Sequence, residues 1–492
     1  MSERLKKQVV RAVPWSIIES VLNGLAGLAL VFTLAWLLTP AEIGKATVAL
    51  AIVGTVEILA QIGMVEALVG AKSAHTRASD TAFTVVVAMS VLAAVLCFLG
   101  ADAVGRFYNE PEIAQLLKVA ALILPINALV AAPTGLLVRK MRAATVTLRM
   151  TVTRIVTIFA TALLAYLHFG AWSLVLGTLA GSVATLLAVT PVLSRWPRLR
   201  FYPAEFRRLI SFGAALSIER LLWGLMTRLF WLVIGYVHGA TMLGYFQFAQ
   251  RLIDETANLV QTFAIRFGLS FFAALERAGR DPADAFLKAT RLITAVAAPI
   301  FVGLALVMPD LVGTVFSTKW APAIIVAQLA ALGWVIGFNR VLVGPALRAR
   351  GRQAGLVFYA ALACTVSIIA ALLTAGYGLP AIALAWVMRH LVGAPWSVFA
   401  IRCHLGIAVS RQLGAVIRSL TAAALMAAVV VGVEVLMQGQ AALPRLIAEV
   451  AAGAVAYAVA LVVIDRTTLR LLRDLAVDLR GLRTPTRQQP AE

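Results

Sequence analysis

Residues 81–102 read TAFTVVVAMSVLAAVLCFLGAD, and only the last of these positions carries a charged side chain. At a rise of about 1.5 Å per residue, a helix of about 20 apolar residues crosses the hydrocarbon layer of a membrane. This stretch therefore predicts a membrane-spanning helix. Of all 492 residues, 61% are hydrophobic and 13% are charged, and soluble domains carry about 25% charged residues. The chain is predicted to be an all-α polytopic membrane protein.

The same length criterion finds about fourteen candidate spans along the chain. The first apolar run is longer than the core of a signal peptide, so it is expected to remain as the first membrane helix. The predicted spans are residues 14–38, 42–70, 81–102, 113–137, 145–167, 171–194, 209–236, 242–273, 284–308, 320–345, 355–375, 379–402, 413–436 and 442–464.

Basic residues test this count, because cytoplasmic loops of membrane proteins carry the excess of Lys and Arg. Alternate loops and both termini are basic, which predicts an even number of spans with both termini in the cytoplasm. The net charge of +20 is then mostly a sign of topology, and a nucleic-acid partner is not expected. The opposite loops hold few basic residues, namely Lys45, Arg106, Lys118, Lys319 and Arg445.

A repeat divides the chain into halves. The spacing Asn127-x5-Pro133 recurs as Asn339-x5-Pro345, and Ile43-Gly44 recurs as Leu243-Gly244. Six helices return the chain to its starting side, so the halves are predicted to be pseudo-symmetric six-helix lobes in parallel orientation, with a substrate site between them. The predicted divisions are 1–201 for the N-terminal lobe, 202–404 for the C-terminal lobe, 405–465 for helices 13 and 14, and 466–492 for an amphipathic cytoplasmic tail.

Sequence motifs of enzymes are missing. The chain has no GxxxxGK[ST] phosphate loop and no HExxH pattern, and its three cysteines show no metal-ligand spacing. We therefore predict a protein that is not an enzyme and that has no catalytic residues, no cofactor and no metal.

Ionisable residues inside the spans are the informative ones, because an arginine at the bilayer centre costs about 2.5–3.5 kcal/mol on insertion scales. Such residues are expected to face a watery interior or a partner. Guanidinium groups bind phosphate with two hydrogen bonds and stay charged, so a cavity lined by them suits an anionic substrate. The candidate substrate-binding residues are Arg220, Arg228, Arg389, Arg251, Arg340 and Arg154.

Simpler roles compete for some of these arginines. Arg251 has Asp254 and Glu255 one turn away and could be neutralised along its own helix. Arg340 and Arg266 each lie close enough to the cytoplasmic end of a predicted span for the side chain to extend toward water. Arg220, Arg228 and Arg389 have no such partner on their own helices.

Carboxylates occur in the spans of the first half. Glu19 with Asn23, and Glu57 with Gln61, each form a polar pair one turn apart, and Glu66 follows. The two pairs are candidate sites for ion coupling, and the alternative is that these acids neutralise arginines across the bundle.

Several segments give the chain a resemblance to a known family. LLTPAEIG (37–44), RFYNEPEI (106–113), FGAW (169–172) and WPRLRF (196–201) are similar to segments of Wzx-type polysaccharide exporters, as are Gly244-Tyr245 and Lys319-Trp320 in the second half. The resemblance covers about residues 10–400. It implies two six-helix lobes arranged in a V with two trailing helices.

The resemblance also implies a function. Wzx-type proteins flip oligosaccharide units linked to polyprenyl pyrophosphate across the bacterial inner membrane, for exopolysaccharide, capsule or O-antigen assembly. The implied partners are the lipid-linked anionic oligosaccharide, membrane lipids, a glycan polymerase and a chain-length regulator. The chain departs from many relatives at Phe230, where they carry an Asp, and this puts ion coupling through that carboxylate in doubt.

Other functions remain open at this stage. A flippase for lipid II or another anionic lipid would have the same helix count and a cationic cavity. A drug/cation antiporter would be expected to have twelve helices and an acidic cavity. A membrane glycan polymerase or transferase would need a large catalytic loop, and a scaffold without transport would not need unpaired arginines inside the membrane.

Overall fold

The computed structural model describes residues 24, 26–61, 63–70, 76–139, 143–193, 195–277, 283–374, 376–465 and 468. Over these ranges the chain is a bundle of helices. The N-half comprises α1 to α8, with bounds Ala26–Leu37, Pro40–Gln61, Met64–Gly70, Thr76–Phe107, Pro111–Ala120, Ile123–Arg139, Ala143–Tyr166 and Trp172–Val189. The predicted tail from residue 466 to 492 lies outside the described residues, apart from Thr468.

The C-half comprises α9 to α14, and two further helices follow it. The bounds of α9 to α16 are Pro203–Arg277, Ala283–Val315, Ile324–Gly337, Val343–Ala349, Gln353–Leu373, Gly378–Leu405, Val409–Leu436 and Ala442–Ile464. α15 and α16 pack on each other and on α10.

Eleven helices in the described part of the chain are long and apolar enough to cross a membrane, and Ala26–Leu37 and Met150–Tyr166 are shorter apolar helices. The chain is therefore a multi-pass membrane protein, as predicted. The count of fourteen stays a prediction. Several predicted spans are divided: the second becomes α2 and α3, the fourth becomes α5 and α6, and the tenth becomes α11 and α12.

α9 contains a reversal of the chain at Gly239, where φ is 84° and ψ is 168°. Trp231 and Gln250 are separated by 19 residues, which would place them about 28 Å apart in a straight helix. Instead the Trp231 Nε1 donates a hydrogen bond to the Gln250 side chain at 2.9 Å. The two arms of α9 therefore pack side by side. We call them α9a (residues 203–238) and α9b (residues 240–277).

The two halves contact each other through the repeated glycines. A Cβ atom on Gly44 would overlap the carbonyl of Ala240, and a Cβ atom on Gly244 would overlap the carbonyl of Pro40. Each half thus places its own glycine against the backbone of the other. The duplicated Ile-Gly and Leu-Gly motifs form one reciprocal contact, at the end of the bundle that the charge pattern predicts to be extracytoplasmic.

Hydrogen bonds from aromatic side chains strengthen this contact, which we call the outer seal. Trp36 Nε1 donates to the Val315 carbonyl at 2.7 Å, and Trp320 Nε1 donates to the Ala35 carbonyl at 2.8 Å. Tyr108, outside the spans, donates through its hydroxyl to the Leu232 carbonyl, and burial raises the pKa of Tyr108 to about 12. Its hydroxyl therefore keeps its proton across the physiological range.

Replacing Trp320 by phenylalanine is expected to lower the free energy of unfolding by about 1 kcal/mol, because the buried Ala35 carbonyl loses its donor. Unfolding by denaturant in detergent micelles measures this change. Trp196→Phe is the matched control, since this half-buried residue lies in the loop between α8 and α9, at the end of the bundle predicted to be cytoplasmic. Equal stability of the Trp320 variant and the wild type would contradict a stabilising role of this hydrogen bond.

Candidate functional site

Three adjoining cavities run through the bundle from the N-half to the C-half. The N-cavity, of about 570 Å³, lies among α2, α3, α6, α7 and α8. The middle cavity, of about 420 Å³, lies between the halves, and the C-cavity, of about 220 Å³, lies in the C-half. Gln61, Glu66 and Arg220 line both the N-cavity and the middle cavity, and Trp223 lines both the middle cavity and the C-cavity. The three cavities therefore adjoin one another in this order across the two halves.

The middle cavity contains two of the predicted arginines, both on α9a. Arg220 forms an ion pair with Glu66 at 3.1 Å, yet its side chain is 84% exposed. Arg228 interacts electrostatically with Glu57, whose Oε1 also accepts a hydrogen bond from Asn127 at 2.9 Å. Both arginines reach the cavity, and each has an acid from the N-half beside it.

Arg154 also joins the two halves, but here the basic residue lies in the N-half and the acidic residue lies in the C-half. Its Nη2 donates to both carboxylate oxygens of Glu255 on α9b, at 2.9 Å each. The alternative in which Asp254 and Glu255 neutralise Arg251 was left open by the sequence. Arg251 does interact with Glu255, but Glu255 is shared with Arg154, and Asp254 accepts hydrogen bonds from Gln250 and Trp334. Arg251 does not line any of the three cavities described above.

The C-cavity holds Arg340 and Arg389, the two arginines with the least compensation. Arg389 is 7% exposed, and its guanidinium lies 3.6 Å from the centre of the Trp386 ring. Arg340 donates to the backbone carbonyl of Arg389 at 3.2 Å and contacts His390 Nδ1. It does not extend toward the cytoplasmic end, the alternative that its position in the sequence left open.

One acid, Asp254, interacts electrostatically with Arg389. Glu219 also lines the C-cavity, but its carboxylate is paired with Arg348 at 2.7 Å. Arg389 Nη1, Arg340 Nε and His390 Nε2 are buried and have no hydrogen-bond partner among the described residues. Buried N–H groups without acceptors are costly, and two guanidinium groups against one carboxylate leave a net positive charge. This arrangement suits an anion that accepts several hydrogen bonds.

A break between α11 and α12 determines where the Arg340 side chain lies. α11 ends at Gly337 and a short 3₁₀ turn, Phe338–Arg340, leads to α12. This turn directs Arg340 toward α14, which carries Arg389 and His390 on consecutive positions. A continuous helix from 320 to 345, as the hydropathy predicts, would have no such break.

The candidate ion-coupling residues divide into two groups. Glu19 and Asn23 lie outside the described residues. Glu57 and Gln61 lie together on α2, with the Gln61 amide 3.4 Å from the Glu57 carboxylate. Their surroundings, Asn127 and Arg228, match the alternative in which the acid neutralises an arginine across the bundle. Ion coupling through this pair stays a prediction. The described part of the chain holds no group of three His, Cys, Asp or Glu side chains suited to a metal ion.

Hydroxyl groups of the N-cavity were not anticipated from the sequence. Its wall is formed largely by threonines and a serine: Thr134, Thr153, Thr157, Thr178, Ser182 and Thr185. The sequence does contain a pattern that indicates these hydroxyl groups. Polar residues recur at helical spacing and form a stripe on each of two helices: Thr153 and Thr157 on α7, and Thr178, Ser182 and Thr185 on α8.

The coupling energy of the Arg154–Glu255 ion pair can be measured, and it reports on a contact between the two halves. A double-mutant cycle with Arg154→Gln and Glu255→Gln is expected to return a coupling energy of about 1 kcal/mol, since both side chains are partly buried. The measurement is denaturant unfolding of the purified protein. Lys118 and Asp102 form a matched control pair within the N-half that is more exposed, and their coupling should be smaller. Equal coupling energies in the two cycles would contradict a stronger contribution from the less exposed Arg154–Glu255 pair.

Comparison with solved structures defines the class of protein. The chain has the fold of the lipid II flippase MurJ in its inward closed conformation, with a TM-score of 0.74 over 93% of this chain and 99% of that one, at 13% identity. The comparison thus shows a fold that the chain shares with this polytopic membrane protein.

Residues 33–325 match the family described as polysaccharide biosynthesis protein, and the chain belongs to this family. It is 26% identical to the succinoglycan biosynthesis transport protein ExoT of Rhizobium meliloti (strain 1021), over 96% of each chain. It is 24% identical to the lipopolysaccharide biosynthesis protein WzxC of Escherichia coli (strain K12), over 71% of each chain. The predicted relationship to Wzx-type proteins is therefore confirmed.

Proposed function

We propose that this protein is a flippase that moves oligosaccharide units linked to polyprenyl pyrophosphate across the membrane by alternating access. The observation that carries this proposal is the Arg340–Arg389 pair. Among the described residues its buried N–H groups lack partners, and its cavity adjoins the middle cavity between the halves. A diphosphate offers several charged acceptor oxygens to such donors. Relatives named for succinoglycan transport and lipopolysaccharide biosynthesis support a glycan substrate.

The transport cycle follows from the position of the outer seal. The reciprocal glycine contact closes the halves at the predicted extracytoplasmic end, while the cavities lie between and within them. Substrate enters from the cytoplasmic side, and rocking of the halves breaks the seal and exposes the cavities on the other side. In this cycle the moving units are the lobes 1–201 and 202–404, with 405–465 attached to the second lobe through α10.

The proposal places the chain in the bacterial inner membrane with both termini in the cytoplasm, following the distribution of Lys and Arg. The partners are the lipid-linked oligosaccharide and the surrounding lipids, together with a glycan polymerase and a chain-length regulator that act on the exported units. The protein provides binding and movement rather than a chemical reaction.

A second candidate is a flippase for lipid II or another anionic lipid, favoured by the fold shared with MurJ. The same guanidinium pair would bind its diphosphate. A drug/cation antiporter is disfavoured, because the C-cavity carries net positive charge and would repel a cation.

The test is made in the native host. Deletion of the gene should reduce secreted polysaccharide and cause lipid-linked repeat units to accumulate on the cytoplasmic side, and the wild-type gene should restore both. Normal polymer in the deletion strain, with no redundant exporter, would reject the glycan substrate. Accumulation of lipid II in place of the repeat unit would support the second candidate.

A further inference from the structure

The N-cavity and the C-cavity have different chemistry although both adjoin the middle cavity. The C-cavity presents two guanidinium groups and the rings of Trp223, Trp334, Tyr359 and Trp396. Half of the residues that line the N-cavity carry hydroxyl or amide groups, namely six Thr or Ser side chains with Gln61 and Asn127. A substrate with one anionic end and one neutral polar end would therefore be sorted between them.

The hydroxyl group of Thr178 in the N-cavity is set up to accept hydrogen bonds. It donates its proton at 2.7 Å to the Leu174 carbonyl, four residues earlier in the same helix. Because its donor is used inside the helix, its oxygen lone pairs act as acceptors. Sugar hydroxyl groups are donors that match them, and a hydrocarbon tail would leave them unsatisfied.

Charges at the edge of the N-cavity are compensated. Arg154 is paired with Glu255, and Glu66 is paired with Arg220. Glu57, the remaining acid, interacts with Arg228. An anion therefore gains less from the N-cavity than from the C-cavity. There Asp254 is the one acid that interacts with Arg389, and the Glu219 carboxylate is already paired with Arg348.

The volumes of the cavities also favour a diphosphate in the C-cavity and a glycan outside it. The C-cavity, at about 220 Å³, is the smallest of the three, and it shares Trp223 with the adjoining middle cavity of about 420 Å³. The middle cavity shares Arg220 with the N-cavity of about 570 Å³. A glycan of several sugars needs more space than the C-cavity provides, and the two adjoining cavities are larger.

We infer that the N-cavity is a binding compartment for the neutral, hydroxyl-rich part of the glycan, while the diphosphate is held by Arg340 and Arg389 in the C-cavity. This inference rests on the proposed function and adds the orientation of the substrate to it. The hydroxyl groups of Thr157, Thr178 and Ser182 contribute to affinity only when sugars are present.

The test compares two probes on the full-length protein in lipid nanodiscs. One probe is undecaprenyl pyrophosphate, which carries no sugar, and the other is the lipid-linked oligosaccharide extracted from the deletion strain. The variant Thr157→Val/Thr178→Val/Ser182→Ala removes three hydroxyl groups and keeps nearly the same shape. It is expected to bind the oligosaccharide lipid about tenfold more weakly than the wild type, and to bind undecaprenyl pyrophosphate with unchanged affinity.

Thr421→Val is the matched control. Thr421 lies on α15, outside the three cavities, and donates to the Ile417 carbonyl as the cavity threonines donate within their helices. The control should bind both probes like the wild type. If the triple variant bound the oligosaccharide lipid like the wild type, or lost affinity for both probes equally, the glycan compartment would be rejected and the flippase retained. If the wild type bound neither probe, the proposed function itself would be rejected.

Discussion

Replacing Arg389 by glutamine is expected to reduce the export of lipid-linked units about a hundredfold. Arg389 is buried, and its Nη1 group has no partner among the described residues, so the substrate supplies the missing acceptor. A hydrogen bond to a charged group is worth up to about 3 kcal/mol, which corresponds to about a hundredfold in an equilibrium constant. Secreted polymer and accumulated lipid-linked units, measured in the complemented deletion strain at equal expression, give the result.

Two further variants separate binding from folding. Arg389→Gln alone leaves Asp254 without its cation, which destabilises a buried site. The double variant Arg389→Gln/Asp254→Asn removes both charges, and it should fold well and still fail to export. Arg411→Gln, at an exposed ion pair with Asp284, should export normally. Export near the wild-type level by the double variant would remove Arg389 from the site.

Valine at either Gly44 or Gly244 is expected to abolish transport, because its side chain would occupy the space of the opposing backbone carbonyl. The outer seal could not close, and the cavities would stay open to the extracytoplasmic side. Labelling measures this directly. A single cysteine at Val48, which is fully buried one turn from Gly44, should react with an impermeant thiol reagent in the variants and stay protected in the wild-type background.

The background for this labelling replaces Cys97, Cys364 and Cys403 by serine. Gly100→Val is the matched control, because no atom lies within 4 Å of the added Cβ, and it should transport and remain protected. Full transport by Gly44→Val, with Val48→Cys still protected, would mean that the reciprocal contact does not form the seal.

Much of the fold could be predicted from hydropathy and charge alone. Long apolar runs such as residues 81–102 predict spans because the bilayer fixes the length of the helix, and α4 indeed covers Thr76–Phe107. The interruptions within spans were not predictable, since a window of about 20 residues averages over a single turn. The turn at Phe338–Arg340 is the example that matters, because it places Arg340 beside Arg389.

The candidate site was predictable only as a set of residue types. The sequence identifies arginines in apolar segments, but it does not tell which acid in another helix faces each one. Arg154 and Glu255 are 101 positions apart and form an ion pair, whereas the spacing within α9b offered only Arg251 as a partner for Glu255. Trp223 and the threonines of the N-cavity carry no charge, so the pattern of ionisable residues in the sequence does not identify them.

The net positive charge of Arg340, Arg389 and Asp254 taken together has an electrical consequence for the proposed cycle. An empty site carries one positive charge, and a bound diphosphate with two negative charges changes this to one negative charge. A membrane potential that is negative inside drives the loaded, negative form outward and the empty, positive form back inward. A charge that crosses the whole potential gains about 2.3 kcal/mol per 100 mV. Both strokes of the cycle would then run downhill on voltage alone.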